Sequence, residues 1–256
     1  MSTITLIIVI VLLTNAVSFT FYITDCDKYM TVSGNINDTT KPKAYLICGL
    51  GAKTADSFKF IEFPGYEKVY LDYSRKGFSP ILAGIQLSAL VNPRDIVCGV
   101  SLGAKVARYS LVDLTRAILI NPCLSSELLN SNLKRLIRFG WPILSSLELL
   151  IGWLSLLPWI PTNKGVWQSP ASVVDQLYWI GHDPEVLRYY EHCRAPELRT
   201  NFILSDDDEF IDCSRLGMFP SAYFVEIFSK HARLGEPTEA PKYQSAINHF
   251  LKTIPS

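Results

Sequence analysis

A short strand, a glycine-flanked turn and a helix are predicted in direct succession near residue 100. The run 96–98 is apolar, residues 99–103 read Gly-Val-Ser-Leu-Gly, and the residues that follow carry apolar side chains at helical spacing. Such a turn holds its central residue, Ser101, in a strained backbone conformation, and side chains at Gly99 or Gly103 would collide with neighbouring backbone. The sequence therefore predicts that the Ser101 hydroxyl projects from the carboxyl edge of a sheet.

The same turn begins a helix beside this serine. The amide of Leu102 can then point at an oxyanion that forms next to the hydroxyl. Ser101 is the candidate nucleophile, and Leu102 is a candidate oxyanion donor. The five-residue pattern also occurs in ordinary glycine-rich turns, but the predicted strand before it and helix after it favour the catalytic interpretation.

A serine nucleophile needs a histidine to take its proton, and the chain has four histidines. His231 follows the aromatic and β-branched run 222–229, which is typical of a final strand. It therefore falls in a loop at the carboxyl end of that strand, where open α/β sheets keep their sites. His182 and His192 precede the last strands, and His249 lies on one face of the closing helix. His231 is the candidate general base.

An acid is predicted after the preceding strand. Residues 201–204 form a buried apolar run, and three consecutive aspartates follow one residue later. Asp208 is the candidate acid that orients the histidine. Asp207 and Asp206 are alternatives because the register of the loop is open, and a solvated acidic loop is the structural alternative.

The chain order of these candidates, Ser101, Asp208 and His231, is that of the α/β-hydrolases rather than that of chymotrypsin or subtilisin. Two further segments resemble that family. Residues 45–51, Tyr-Leu-Ile-Cys-Gly-Leu-Gly, are similar to its strand and His-Gly turn. Residues 72–79, Asp-Tyr-Ser-Arg-Lys-Gly-Phe-Ser, are similar to its Asp-x-x-Gly-x-Gly-x-Ser loop.

The resemblance covers about residues 20–254 and implies further roles. It places the second oxyanion-binding amide at Leu50 and matches Asp208 to the acid of the family's Gly-x-x-Asp-x-x-Val segment. Two positions depart from the family pattern. Cys48 stands where the family usually has histidine, and Ser205 stands where it usually has glycine. Neither is a triad position, so both bear more on substrate handling and loop shape than on the chemistry.

The alternation of strands and helices independently predicts an α/β fold. The predicted strands are separated by segments long enough for crossover helices, which gives a mostly parallel sheet flanked by helices. The predicted strands cover residues 44–48, 68–72, 95–98, 116–120, 200–204 and 222–229. Residues 19–34 are predicted to form an initial antiparallel pair that turns at residues 25–28.

A helical cap is predicted over about residues 125–195, inserted after the strand at about 116–121. About eighty residues separate that strand from the next one, which is too many for a single crossover. The core of the cap, residues 136–160, is predicted to form a helix that is apolar nearly all round. Such a helix packs over the sheet, lines a pocket for an apolar ligand or contacts lipid. Its tryptophans are Trp141, Trp153 and Trp159.

Residues 1–18 are predicted to be a signal peptide or membrane anchor, ahead of a single hydrolase domain over 19–256. The segment is strongly apolar, and Ala16-Val-Ser18 suits signal-peptidase cleavage. No lysine or arginine precedes Lys28, so an uncleaved anchor and an unusually long first strand remain as alternatives. The expected location is secreted or membrane-anchored.

The cysteine pattern is not typical of a small secreted protein. Of the six, Cys48, Cys98 and Cys123 each end a predicted core strand, where a cysteine behaves as a small apolar residue. They do not form the spaced framework of a small secreted domain, so a cytoplasmic location stays open. Residues 37–39, Asn-Asp-Thr, form a glycosylation sequon that matters only in a eukaryotic lumen.

The charge balance and the motifs narrow the function. The 24 basic and 24 acidic residues show no cluster that predicts a nucleic-acid partner, and no motif implies a metal or organic cofactor. The predicted function is a serine hydrolase of the carboxylesterase or lipase type that cleaves an ester or thioester with a hydrophobic acyl part. Membrane association through the N-terminal segment or the cap is a further expectation, and the oligomeric state is left open.

Two alternatives accompany this prediction. A catalytically silent binding protein can keep the same fold, because fold alone does not establish activity. An acyltransferase on the same scaffold differs from a hydrolase only in the acceptor of the acyl group.

Overall fold

Seven strands form one sheet. The computed structural model describes residues 30–36, 40–73, 79–110, 112–140, 170–181, 200–212 and 222–254. The strands are β1 (Met30–Ser33), β2 (Lys43–Ile47), β3 (Glu67–Tyr73), β4 (Ile96–Val100), β5 (Ala117–Ile120), β6 (Thr200–Ser205) and β7 (Ala222–Ile227). Their order across the sheet is β1-β3-β2-β4-β5-β6-β7. All neighbouring pairs are parallel except β1 with β3.

Helices follow most of the strands, as the parallel connections require. They are α1 (Thr54–Ser57), α2 (Pro80–Leu90), α3 (Leu102–Tyr109), α4 (131–140), α5 (Pro170–Gly181) and α6 (Ala240–Leu251). Short 3₁₀ turns occupy Leu114–Arg116, Ser126–Leu128 and Arg233–Gly235. The start of α2 shows the local logic, since the Ser79 side chain accepts a hydrogen bond from the Leu82 amide and Pro80 supplies a preset φ at the first helical position.

The central strands are buried on both faces. Every residue of β2, β4, β5 and β6 is buried, as expected for strands covered by helices on each side. Side chains alternate between two apolar layers. In β2, Tyr45 and Ile47 join the layer that contains α2 and α3, whereas Ala44 and Leu46 join the layer that contains α6. The sheet is thus a rigid platform whose carboxyl edge carries the loops after each strand.

The predicted α/β architecture is confirmed, with small differences in the strands. Strand β4 continues to Val100, directly before Ser101, so Cys98 lies inside the strand rather than at its end. The predicted antiparallel pair over 19–34 is represented by β1, which pairs with β3. The partner predicted for it before residue 29 lies outside the described residues. Cys48, Cys98 and Cys123 are all buried, as predicted.

Several predicted segments lie outside the described residues. They are the leader at 1–18, the sequon at 37–39 and the tryptophan-rich part of the cap at 141–160. In the part of the chain that the structure describes, no helix combines the length and the apolar character needed to cross a membrane.

Two helices, α4 and α5, lie within the range predicted for the cap. They contact each other through Ile137 and Gly181, because a Cβ built on Gly181 would lie 2.5 Å from the Ile137 side chain. The Arg138 Nε also donates a hydrogen bond of 3.3 Å to the Gly181 carbonyl. The buried side chains of Ile137 and Ile180 join the layer that contains α3. The helices α4 and α5 therefore pack on the same face of the sheet as α3, which begins directly after Ser101.

We expect Gly84→Ala, in α2, to lower the free energy of unfolding by about 1–2 kcal/mol. Alanine in a helix interior normally stabilises by about 1 kcal/mol relative to glycine. Here, however, the new Cβ would lie 2.8 Å from the backbone carbonyl carbon of Tyr109, so α2 and α3 would have to move apart. Urea unfolding measures the change. The matched control is Gly140→Ala in α4, where a Cβ meets nothing within 4 Å; a loss of equal size in the control would contradict this account.

Candidate active site

Ser101 occupies the strained turn that the sequence predicts. Strand β4 ends at Val100 and α3 begins at Leu102, and Ser101 between them has φ 51° and ψ −110°. A positive φ is unfavourable for a residue with a Cβ and persists only where the surroundings enforce it. The Ser101 amide donates 2.9 Å to the Ile120 carbonyl, and its own carbonyl accepts 3.1 Å from the Cys123 amide. The backbone of β5 therefore holds the turn in place.

The two glycines of the turn are required by close backbone contacts, as predicted. A Cβ on Gly99 would lie 2.6 Å from the Gly103 carbonyl oxygen, and a Cβ on Gly103 would overlap the carbonyl oxygen of Ile47 in β2. Strand β2 and α3 therefore approach each other closely at the start of the helix. The Leu102 N–H is one of the first-turn donors that have no acceptor within the helix.

The loop after β2, which carries Leu50, is fixed on both sides of that residue. On one side the Tyr73 hydroxyl donates a buried 2.7 Å hydrogen bond to the Cys48 carbonyl. On the other side the Gly51 amide donates 2.9 Å to the Oε1 of Gln176, a buried side chain of α5. The peptide group that carries the Leu50 N–H lies between these two fixed peptides. The resemblance implies that the Leu50 N–H is an oxyanion donor. The loop that carries this N–H is held in place by the two hydrogen bonds.

Cys48, which replaces the family's histidine, serves the internal structure of this loop. Its Sγ donates 2.7 Å to the Ala52 carbonyl, and its backbone N–H donates 3.3 Å to the Thr54 hydroxyl. Burial raises the pKa of the Cys48 thiol to about 12, so the S–H stays protonated and remains a donor at neutral pH. Its neighbours Gly49 and Leu50, but not Cys48 itself, line the cavity beside Ser101.

Asp208 and His231 form a direct pair. The Nδ1 of His231 lies 2.7 Å from the Oδ2 of Asp208, and the two side chains are 12% and 1% exposed, respectively. The second carboxylate oxygen, Oδ1, accepts two 2.9 Å hydrogen bonds from the amides of Phe210 and Ile211. These bonds fix the carboxylate, so that its other oxygen faces the imidazole. The ring of Phe210 also packs edge-on against His231 at 5.2 Å between centroids.

The other two aspartates have different surroundings. Asp206 and Asp207 are exposed, and the Oδ1 of Asp206 accepts 3.2 Å from the Ser229 amide. Of the three consecutive aspartates, Asp208 is the one whose carboxylate lies against His231. A neighbouring carboxylate, Glu209, accepts 3.1 Å from the His231 amide. Although burial would raise it, the pKa of Glu209 is lowered, because the backbone amides of His231 and Glu209 donate to the carboxylate.

His249, the other histidine among the described residues, does not join this site. His249 stacks on the ring of Tyr223 in β7, at 5.9 Å between centroids and 7° between planes. His182 and His192 lie outside the described residues. Among the residues described, no group of three or more histidine, cysteine, aspartate or glutamate side chains could hold a metal ion.

Ser101 and His231 line one cavity of about 410 Å³, together with Leu50. This volume falls in the usual range for small-molecule sites. Most of its lining is aliphatic. The aliphatic lining residues are Leu50, Ala52, Val100, Leu129, Leu133, Ile137, Leu177, Ile180, Ile211 and Ala232. Among the described residues that line the cavity, there is no lysine, arginine or carboxylate side chain.

Two contacts from α5 were not predicted from the sequence. Gln176 bonds the Gly51 amide, as described above, and the Trp179 carbonyl accepts 2.8 Å from the ammonium group of Lys105. Lys105 lies in α3, four residues after Ser101, and is fully buried. A buried cation needs such partners, because desolvation of an unpaired charge is costly. No local signal marks these residues, since the partners are separated by 125 and 74 positions in the chain.

Comparisons with known proteins agree with this architecture. No protein-family model matches the chain, and no curated protein matches its sequence. Among solved structures, the chain is similar to a lipase-esterase related protein from Clostridium acetobutylicum, with 12% identity, a TM-score of 0.57, and coverage of 87% of this chain and 100% of that one. A thermophilic esterase from Thermogutta terrifontis gives 15% identity, a TM-score of 0.54, and coverage of 89% and 93%. An alpha/beta hydrolase fold protein from Burkholderia ambifaria gives 13% identity and a TM-score of 0.53. The match covers 85% of this chain and 92% of that one.

The chain therefore has the α/β-hydrolase fold, as the sequence resemblance implied. The mostly parallel sheet, the turn after β4 and the loops after β6 and β7 occupy the places that this fold gives them. At this level of identity the likeness concerns the fold, and the chemistry is argued from the site itself.

Proposed function

We propose that this protein is a serine hydrolase that cleaves a carboxylic ester or thioester with a neutral, apolar acyl group. One observation carries the proposal. The His231–Asp208 pair, joined at 2.7 Å, opens on the same apolar cavity as Ser101, whose backbone has the strained φ of 51°. A base held by a buried acid, on the same cavity as a serine presented on a tight turn, supports nucleophilic acyl transfer.

In the first half of the reaction, the Ser101 Oγ attacks the acyl carbon, and the imidazole of His231 takes the hydroxyl proton at Nε2. Asp208 keeps the Nδ1 proton of the ring in place, which leaves Nε2 as the free acceptor before attack. Asp208 also stabilises the imidazolium after the proton has moved. The C–O or C–S bond then breaks, and the leaving alcohol or thiol takes the proton from His231.

The oxyanion of the tetrahedral intermediate is stabilised by the backbone amides of Leu102 and Leu50. The first is aligned by α3 and the second by the loop that Tyr73 and Gln176 hold. Donors fixed before the reaction need no reorganisation when charge develops, and the loss of one typically costs about 3 kcal/mol of barrier. In the second half of the reaction, water loses a proton to His231, attacks the acyl-enzyme and releases the acid.

The cavity supports an apolar acyl group. Its aliphatic lining offers no ion-pair partner among the described residues, so a charged acyl chain would lose its hydration without compensation. Burial of an alkyl chain contributes about 0.8 kcal/mol per methylene. The names of the structural neighbours, an esterase and a lipase-esterase related protein, are consistent with this substrate class.

We expect Ser101→Ala to abolish ester hydrolysis, with a loss on the order of 10⁴- to 10⁶-fold in kcat, and to abolish labelling by a fluorophosphonate probe. The nucleophilic oxygen is removed while the fold is kept. The matched control is Ser57→Ala, because Ser57 lines the same cavity. This control should keep both activity and labelling. A wild-type protein that neither reacts with the probe nor hydrolyses p-nitrophenyl esters would favour a silent binding protein instead.

We expect Asp208→Asn to lower kcat by about 10⁴-fold, because an amide no longer holds the imidazole in the required tautomer or stabilises its charge. Hydrolysis of a p-nitrophenyl ester measures the effect. Asp207→Asn provides a control of identical chemistry one residue away, on an exposed side chain. If the control loses as much activity as Asp208→Asn, the assignment of the acid is wrong.

We expect Leu133→Trp to move the preferred p-nitrophenyl ester toward shorter acyl chains, because the indole would fill part of the cavity that Leu133 lines. The measurement is kcat/KM over a series from acetate to decanoate. Leu136→Trp is the matched control, since this neighbour on α4 is 67% exposed and does not line the cavity. A wild-type optimum at acetate, or the same shift in both variants, would contradict an acyl-binding role for this cavity.

A further inference from the structure

We propose that three buried polar side chains form a positioning network that holds the catalytic loops in register with one another. They are Asn121, Ser205 and Tyr243, all with at most 1% of their surface exposed. They come from the ends of β5 and β6 and from α6, and hydrogen bonds link them in series. The inference rests on the proposed function, because it concerns how the same site is held.

Asn121 connects the serine turn to β6. It follows β5 directly and has a φ of 43°, a conformation that asparagine tolerates better than most residues. The carbonyl just before it, that of Ile120, accepts the Ser101 amide at 2.9 Å. The Asn121 side chain then makes two bonds to one residue, since its Oδ1 accepts 2.9 Å from the Ser205 amide and its Nδ2 donates 2.8 Å to the Ser205 hydroxyl.

Ser205 ends β6 and begins the loop that carries Asp208. Its hydroxyl lies 3.2 Å from the hydroxyl of Tyr243, so this residue joins Asn121 to α6. The family that this sequence resembles usually has glycine at this position. Glycine would keep the hydrogen bond from its backbone amide to Asn121 but would lack the hydroxyl that contacts Tyr243. Ser205 does not have a positive φ, so the backbone here does not demand glycine. The departure from the family pattern therefore adds a link to the network.

Tyr243 holds the loop of His231 on both sides. Its hydroxyl lies 3.0 Å from the carbonyl oxygen of Lys230, the residue before the histidine. It also accepts a 3.1 Å hydrogen bond from the amide of Arg233, two residues after the histidine. A third neighbour is the hydroxyl of Ser229, at 3.2 Å. A single phenol oxygen thus fixes the backbone that flanks His231.

The proton directions in the network are consistent. A carbonyl can only accept, so the phenolic proton of Tyr243 goes to Lys230. The Ser205 hydroxyl can then donate to Tyr243 while accepting from Asn121. Each link in the series from Asn121 through Ser205 and Tyr243 to the Lys230 carbonyl then has one donor and one acceptor, which is the condition under which a buried polar network is rigid rather than destabilising.

This rigidity bears on the reaction through geometry. The three catalytic side chains come from separate loops, and a misplacement of about 1 Å in such an arrangement can cost roughly a hundredfold in rate. None of the three network side chains lines the cavity beside Ser101. They therefore act through the loops and not by contact with the substrate.

We expect Tyr243→Phe to lower kcat about 10- to 100-fold with KM nearly unchanged, because the ring still fills its place while the loop of His231 is released. The matched control is Tyr45→Phe. Tyr45 is also buried, and its hydroxyl donates a 2.8 Å hydrogen bond to the Leu90 carbonyl, away from the cavity. Both variants lose a buried hydrogen bond, so both should lower the melting temperature, whereas the control should keep its kcat.

Ser205→Ala provides a second, independent variant, and it decides the question if Tyr243→Phe does not fold. It should also lower kcat, and the double variant should lose no more than the larger single loss, because both changes break the same chain of bonds. The proposal is overturned if the folded variants keep kcat within about twofold of Tyr45→Phe, or if the two losses multiply. Failure of the proposed function gives a different result, in which the wild-type protein itself lacks activity that depends on Ser101.

Discussion

The close approach of α3 to the sheet is the constraint on which the rest of the site depends. Gly103 passes so near the end of β2, and Gly99 so near the first turn of α3, that a Cβ at either position would overlap backbone atoms. This approach forces Ser101 to a φ of 51°, which a serine would not adopt in an unconstrained chain. The strain is compensated by the packing of α3, whose residues are all buried. The presentation of Ser101, the proposed nucleophile, and the packing of α3 are therefore one structural feature.

Two positions depart from the pattern of the family that the sequence resembles, and both side chains brace loops around the candidate site. Cys48 offers a neutral S–H to the Ala52 carbonyl, and the raised pKa of the buried thiol keeps that donor intact. Ser205 places a hydroxyl between β6 and α6, where glycine would place none. In both cases the new side chain bonds to neighbouring groups of the protein, so the substitution changes how a loop is braced rather than which groups face the cavity.

The sequence predicts the parallel sheet and the serine turn because both arise from local patterns. Alternation of apolar runs and helical segments defines the strands, and glycine spacing defines the turn at Ser101. The sequence leaves the choice among the three aspartates open. That choice depends on the shape of the loop, in which the backbone amides of Phe210 and Ile211 donate hydrogen bonds to Asp208. The braces supplied by Gln176 and Tyr243 escape prediction for a related reason. Their partners are distant in the chain, and no sequence pattern indicates which group a buried glutamine or tyrosine will contact.

The cavity and the loop that carries Leu50 share one helix. Leu177 and Ile180 of α5 line the cavity, and Gln176 of the same helix holds the Gly51 amide. The buried Lys105 of α3 holds this helix, because its ammonium group donates a hydrogen bond to the Trp179 carbonyl. Leaving that buried charge unpaired would be costly. The position of α5 is thus tied to α3, the helix that begins directly after Ser101. A side chain that alters the fit of α5 therefore changes the cavity and the loop of Leu50 together, and under the proposed function it would change acyl binding and oxyanion stabilisation at once.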